Sequence, residues 1–239
     1  MTYRIRALKN GECHVRDYIT FHDGGEQTSL FYLYVWLIEG GPAPMLVETG
    51  VSDVEGFNRG VEAYIPGGVR QRPEERTLAL LASAGVSPEQ VSHIFITHFH
   101  GDHYDSFGLF PNAAMVASRQ GFPGVDALAG DVAEALRQRG GDALMLVEDG
   151  EVLPGIHAFH LGVHSPCSMG LAVPTNAGVA VLPGDLIYKY ENLETPRPPG
   201  WTDVNEWWKA LDKIRAMGDF VLPAHDPEVL SRWPGGVIG

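Results

Sequence analysis

The sequence predicts an α/β protein, and three observations carry that expectation. Short aromatic and β-branched runs alternate with segments whose apolar residues recur at helical spacing. Gly- and Pro-containing stretches punctuate those runs. Hydrophobic residues make up 44% of the 239, enough to fill a layered core, and the length suits one domain over residues 1–239.

The elements follow in order. Phe31 to Ile38 (FYLYVWLI) reads as a buried strand, and Met45 to Val47 as a second after the break at Gly40-Gly41-Pro42. Together they form a hairpin ending at Glu48-Thr49-Gly50. Residues 52–72 are rich in turn formers and read as an irregular excursion, a candidate wall of a binding pocket. Pro73 opens a helix whose stripe is Leu78, Leu81 and Ala82, with Gly85 as its stop. Ser87-Pro88-Glu89-Gln90 has the spacing of a capping box and feeds a strand, Ile94 to Ile96. A strand at 114–117, a helix at 132–139 and strands near 144–147, 156–161, 170–173 and 179–182 continue the pattern. Val204, Trp207, Trp208, Leu211, Ile214 and Met217 share one helix face. The rigid loop 196–200 (PRPPG) precedes that helix, and a last strand, 220–222, leads to His225.

Composition narrows the function classes. The formal net charge is −13, and Arg70, Arg72 and Arg76 are interrupted by Glu74 and Glu75, so no basic patch is present for nucleic acid. Two cysteines, Cys13 and Cys167, make neither a disulfide framework nor a Cys-rich zinc module. The first sixteen residues lack the apolar core of a signal peptide. No apolar run reaches the roughly 20 residues of a membrane span. A soluble cytoplasmic protein acting on a small molecule is the expectation, with oligomeric state unread.

The chemistry concentrates after the strand at 94–96. His98, His100, Asp102 and His103 place four metal-ligand side chains within six residues. In an extended segment His98 and His100 project to the same side and can grip one ion, whereas Asp102 and His103 turn away towards a second. Gly101 is expected to permit the tight turn. Four ligands cannot saturate two ions, so further His and Asp residues are required.

This His-x-His-x-Asp-His run, followed by His164 in Gly-Val-His-Ser-Pro, Asp185 in Val-Leu-Pro-Gly-Asp and His225 in Leu-Pro-Ala-His-Asp, resembles the metallo-β-lactamase superfamily. The resemblance implies an αββα sandwich of two mixed β-sheets flanked by helices. It also implies two divalent metal ions, zinc first and iron, cobalt or manganese as substitutes. His98, His100 and His164 would hold one ion, Asp102, His103 and His225 the other, and Asp185 would bridge them. A hydroxide shared by the ions would attack a carbonyl carbon, with Asp102 handling a proton. Two departures stand out. Glu48 replaces the usual Asp of an Asp-x-Gly turn, where a longer acid can still support a ligand. Cys167 replaces a Gly after the His-Ser-Pro core and is read as a buried packing residue, the alternative being a thiol close to metal.

The stretch Asp185 to Glu194 (DLIYKYENLE) is similar to N-acyl-homoserine lactonases. That similarity implies a role for Tyr188 in hydrogen-bonding the substrate carbonyl or its developing oxyanion; packing beneath the loop is the alternative. Phe31, Tyr64, Trp201, Trp207 and Trp208 are candidates for an apolar pocket, Trp208 being the better candidate for the core. His14, His22, His93, His157 and His160 match no ligand position. The expected activity is lactone opening. A glyoxalase-II-like thioesterase and a non-hydrolytic metal sensor are the alternatives. A β-lactamase proper is disfavoured because those enzymes carry Cys or His where Asp185 stands.

Overall fold

A computed structural model describes residues 1–239. The chain starts with a long antiparallel hairpin, β1 (Arg4–Arg16) and β2 (Thr28–Glu39), joined through a short helix, α1 (Asp17–Thr20). β3 (Met45–Val47), α2 (Val54–Val61), α3 (Thr77–Ser83), β4 (His93–Phe95), α4 (Gly101–Tyr104) and β5 (Ala114–Ser118) follow. Next come α5 (Gly130–Arg139), β6 (Leu144–Val147), β7 (Gly150–Leu153), β8 (Ile156–His160), β9 (Met169–Thr175) and β10 (Gly178–Leu182). The chain closes with α6 (Glu191–Glu194), α7 (Val204–Ala216), β11 (Phe220–Val221), α8 (Glu228–Arg232) and β12 (Val237–Ile238).

Both sheets are mixed. One runs β12-β1-β2-β3-β4-β5-β6, with its last three pairings parallel. The other runs β11-β10-β9-β8-β7, parallel only between β10 and β11. Alternation of side chains along each strand gives both sheets two apolar faces. The inner faces meet through Ile5, Trp36, Ile38 and Phe95 on one side and Ile156, Leu171, Val173 and Leu182 on the other. Leu37, Leu46 and Ile94 face outward and are covered by Leu81 of α3 and Val132 and Leu136 of α5. Phe159, Ala172 and Val181 are covered by Trp207, Leu211 and Ile214 of α7. The result is the expected αββα sandwich.

Several sequence expectations are corrected. β1 was not anticipated, because Lys9, Asn10 and Gly11 interrupt its alternation at a shift of register. β7 was also missed. The 52–72 excursion contains α2, capped by Asp53 accepting from Gly56 N at 2.9 Å. The helix at Pro73 begins as a 3-10 turn, and Leu78 of its supposed apolar stripe is exposed. Trp207 is wholly buried and Trp208 is exposed, since neighbours on a helix point about 100° apart. Trp207 donates from its indole nitrogen to Leu186 O at 2.9 Å, tying α7 to the loop after β10.

The distal half of the β1–β2 hairpin runs beyond the sandwich. There Cys13, Val15, Phe31 and Leu33 join Ile19, Val61, Ile65 and Tyr188 in a separate apolar cluster. This cluster makes one side of a cavity over the strand ends.

Candidate metal centre

Every sequence-predicted ligand reaches one place. His98 and His100 leave the end of β4, Asp102 and His103 sit on α4, and His164 follows β8. Asp185 follows β10, and His225 follows β11. Their ligand atoms form two groups, His98, His100, His164 and Asp185 in one and Asp102, His103 and His225 in the other. In the first, His100 Nδ1 lies 3.0 Å from both His98 Nε2 and His164 Nε2. Asp185 Oδ2 lies 3.6 Å from His98 Nε2 and 3.5 Å from His164 Nε2. Its other oxygen, Oδ1, faces the second group, 3.3 Å from His103 Nε2 and 3.0 Å from His225 Nε2. Asp102 Oδ2 completes that group 3.4 Å from His103 Nε2. One carboxylate thus presents an oxygen to each group.

These residues fit a pair of divalent ions. Bonds of about 2.0–2.1 Å in tetrahedral array place ligand atoms roughly 3.3 Å apart, close to the spacings above. Both ring nitrogens of His103 are buried, and neither makes a well-aligned hydrogen bond, although carboxylate oxygens of Glu48 and Asp185 stand 3.2 and 3.3 Å away; a cation taking the lone pair would relieve that cost. The donors are imidazole and carboxylate, which suits zinc, iron, cobalt or manganese.

The electrostatics sort the histidines. Burial drives His98 well below the ordinary imidazole value and His164 to about 4, keeping both neutral and open to coordination. Burial also opposes charge on His103 and His225, but Asp185 and Asp102 outweigh it and raise both. Burial works against the Asp185 carboxylate too, yet His103, His225 and His98 hold it well below the usual carboxylate range.

Supporting contacts fix the rings. His225 Nδ1 lies 3.0 Å from Tyr32 O, leaving Nε2 for the site. Glu48 serves both groups. Its Oε1 lies 3.2 Å from His103 Nδ1 and accepts from the Thr97 hydroxyl, which in turn lies 3.1 Å from His98 Nδ1. Gly184 lets the Asp185 loop close over Thr97, because a Cβ there would stand 2.6 Å from Thr97 Oγ1. Gly101 has a different role from the one expected. Its backbone is not left-handed; it opens α4 with the Phe57 ring packed against its Cα, so a Cβ would stand 3.2 Å from Phe57 Cδ2. The non-glycine residues with positive φ are Glu48, Val163 and Trp201. They support two histidines, precede His164 and line the cavity, respectively. Such conformations cost ~1–3 kcal/mol each and persist where surrounding structure holds them.

A cavity of about 690 Å³ opens above the cluster, within the range of small-molecule sites. His100, Asp102, His164, Asp185 and His225 make its polar end, and Val15, Ile19, Leu33, Val61 and Ile65 an apolar wall. Phe31, Tyr64 and Trp201 line it as anticipated; Trp207 and Trp208 do not. Phe31 stacks on the His225 ring at 5.2 Å and lies 5.3 Å from Tyr188. Tyr188 also lines the cavity, its hydroxyl 3.4 Å from His164 Nδ1. Cys13 is a wall residue that sequence reasoning left unassigned, its thiol pushed up to about 12 chiefly by burial. Its alternation with Val15 was the signal available. Cys167 is buried against Ser165 Oγ and outside both ligand groups. His14, His22, His93, His157 and His160 also stay outside them.

Comparison with known proteins identifies the family. The family model described as metallo-beta-lactamase superfamily matches residues 30–225. The chain belongs to that superfamily. Among superfamily members it is 28% identical over 200 residues to an N-acyl homoserine lactonase of Bacillus sp, covering 81% of this chain and 78% of the relative. It is 26% identical over 225 residues to N-acyl homoserine lactonase AiiA of Bacillus thuringiensis subsp. kurstaki, covering 91% and 88%. A solved N-acyl homoserine lactone hydrolase, with the product N-hexanoyl-L-homoserine at its catalytic metal center, superposes with a TM-score of 0.81. The identity is 21% and 97% of each chain is covered; at that identity the likeness is one of fold. No helix in this superfamily member is long and apolar enough to cross a membrane.

Proposed function

We propose that this chain hydrolyses a lactone of the N-acyl-homoserine lactone type. The observation that carries the reading is the placement of the Tyr188 phenol in the same cavity as the two ligand groups, with an apolar wall beside it. The named relatives, at 26–28% identity, support it.

In this reading His98, His100 and His164 hold one cation, Asp102, His103 and His225 hold another, and Asp185 joins both. When bound, the cations supply a water acidified towards neutral pH and a Lewis acid for the ester carbonyl. The protein does the rest. The polar end of the cavity receives the ring, and the apolar wall receives the acyl group and excludes water. Burial, then Asp185 and Asp102, hold the Tyr188 phenol well above its ordinary value, so it keeps its proton. His164, with Nε2 turned to the cluster, presents Nδ1–H to the Tyr188 oxygen, which frees the phenol hydrogen to meet the oxygen that gains negative charge. Asp102, at the cavity edge, carries the proton from water to the departing alkoxide. Water oxygen joins the carbonyl carbon, the ring C–O bond breaks, and a hydroxy acid leaves.

Acid release from an N-acyl-homoserine lactone by metal-analysed protein tests this, with a chelator-stripped sample and a thioester alongside. Fast metal-dependent opening of the lactone and weak thioester cleavage are expected. Preferential thioester cleavage, or no turnover by protein holding about two metals per chain, would overturn the substrate assignment.

A further inference from the structure

Trp201 lines the mouth of the cavity with 74% of its surface exposed, more than any other large hydrophobic residue. Its backbone is left-handed at φ 59°, a conformation bulky residues rarely hold without support. The support is visible on both sides. Gly200 donates to Ile19 O at 2.8 Å, and it lies so close to α1 that a Cβ would stand 1.8 Å from Tyr18 O. His22 N donates to Pro198 O at 2.8 Å, and Asn192 Nδ2 bonds both Arg197 O and Thr20 O. The Arg197 guanidinium covers the Phe21 ring and pairs with Asp23 and Glu191. Beyond the indole, Thr202 is buried and donates to Pro199 O at 2.7 Å. The loop is therefore pinned while the indole stays in water. Its ring neighbours are Tyr18, at 6.1 Å between ring centroids, and Tyr64, edge-on at 5.9 Å.

A large apolar ring held at the mouth of an apolar cavity gains most when another apolar group covers it. We propose that Trp201, flanked by Tyr18 and Tyr64, is the specificity-determining rim against which the apolar tail of the substrate packs, so that affinity rises with tail length. This deepens the lactonase reading, but it rests on the cavity wall and not on the identity of the reacting head group.

The test uses the metal-loaded full chain with two independent readouts. First, sodium acetate, hexanoate and decanoate are titrated while tryptophan emission is followed, with W201F removing the Trp201 signal from that of the other four tryptophans. Decanoate should blue-shift the wild-type emission, acetate should not, and W201F should lose the shift. Second, KM is measured for hexanoyl- and decanoyl-homoserine lactone. W201A should raise KM for the decanoyl substrate about tenfold or more and for the hexanoyl substrate less. Metal content should stay as in wild type, and the decanoyl-to-hexanoyl ratio of KM should move more than the ratio of kcat. A chain-length-dependent shift without any lactone turnover would keep the rim and reject the lactonase reading. Lactone opening with a KM equally insensitive to tail length in wild type and W201A would keep the lactonase reading and overturn the rim.

Discussion

Replacing Glu48 by Gln tests the site most directly, because the change is nearly isosteric and Glu48 does not line the large cavity. The side chain is 4% exposed. Its Oε1 meets both His103 Nδ1 and the Thr97 hydroxyl that adjoins His98, so one carboxylate orients a ligand from each group. In Gln the carbonyl oxygen can keep those two contacts, but the amide NH2 must then face Thr97 N, which now lies 3.3 Å from Glu48 Oε2. Two donors would oppose each other, and the bond from the Thr97 hydroxyl and the 3.2 Å contact with His103 would lose their charge. A charge-assisted bond contributes about 1.5–3 kcal/mol and a neutral one about 0.5–1.5, so about 1–2 kcal/mol is lost. That is roughly a 5- to 30-fold fall in metal affinity, overlapping the roughly 10- to 100-fold span known for partners of metal ligands. Competition against a chromogenic chelator reads the affinity, and thermal melting of the chelated forms checks that the fold survives. Affinity unchanged in E48Q would refute the reasoning and show that Glu48 sits there as a neutral acid. That outcome has a physical basis, since burial alone pushes the carboxyl of Glu48 upward.

Four further outcomes follow from the geometry. Asp185→Ala should lower metal content in both groups together, since its two oxygens face different sets; elemental analysis showing a fully loaded protein would remove its bridging position. Tyr188→Phe should keep the metal and lower kcat/KM by about 1–3 kcal/mol of transition-state stabilisation, or roughly 5- to 150-fold; unchanged steady-state kinetics would leave the phenol a packing residue. Trp207→Phe should destabilise by about 1–3 kcal/mol, because it strands the Leu186 carbonyl and opens space under the Asp185 loop. Trp208→Ala should stay within about 0.5 kcal/mol; denaturant unfolding separates the two, and equal losses would contradict the burial assigned to α7.

The sequence by itself marked out the candidate metal site. His98, His100, Asp102 and His103 fall within six residues at the end of a strand, and such density has few meanings besides metal. The outlying ligands His164, Asp185 and His225 each end or follow a strand, so an apolar run next to a polar tip marks them. The strands and helices of the sandwich were legible where one periodicity ran unbroken, as in Phe31 to Ile38. The 52–72 stretch, Phe31 and Trp201 line the cavity as the sequence suggested, and tertiary structure decided the rest of the walls. β1 was hidden because its register shifts at Lys9 to Gly11, yet its far end supplies Cys13 and Val15 to the cavity. α2 was hidden among turn formers, and only its packing on Gly101 gives Phe57 a place beside the cluster. Trp207 and Trp208 are chemically alike and adjacent, and only the position of α7 on its sheet sends one inside. Glu48 was expected to support a ligand, but only the fold shows that Thr97 and His103 are the groups it meets. Ligands announce themselves because few side chains bind metal. Wall and support residues are ordinary side chains whose role comes from what the fold places next to them.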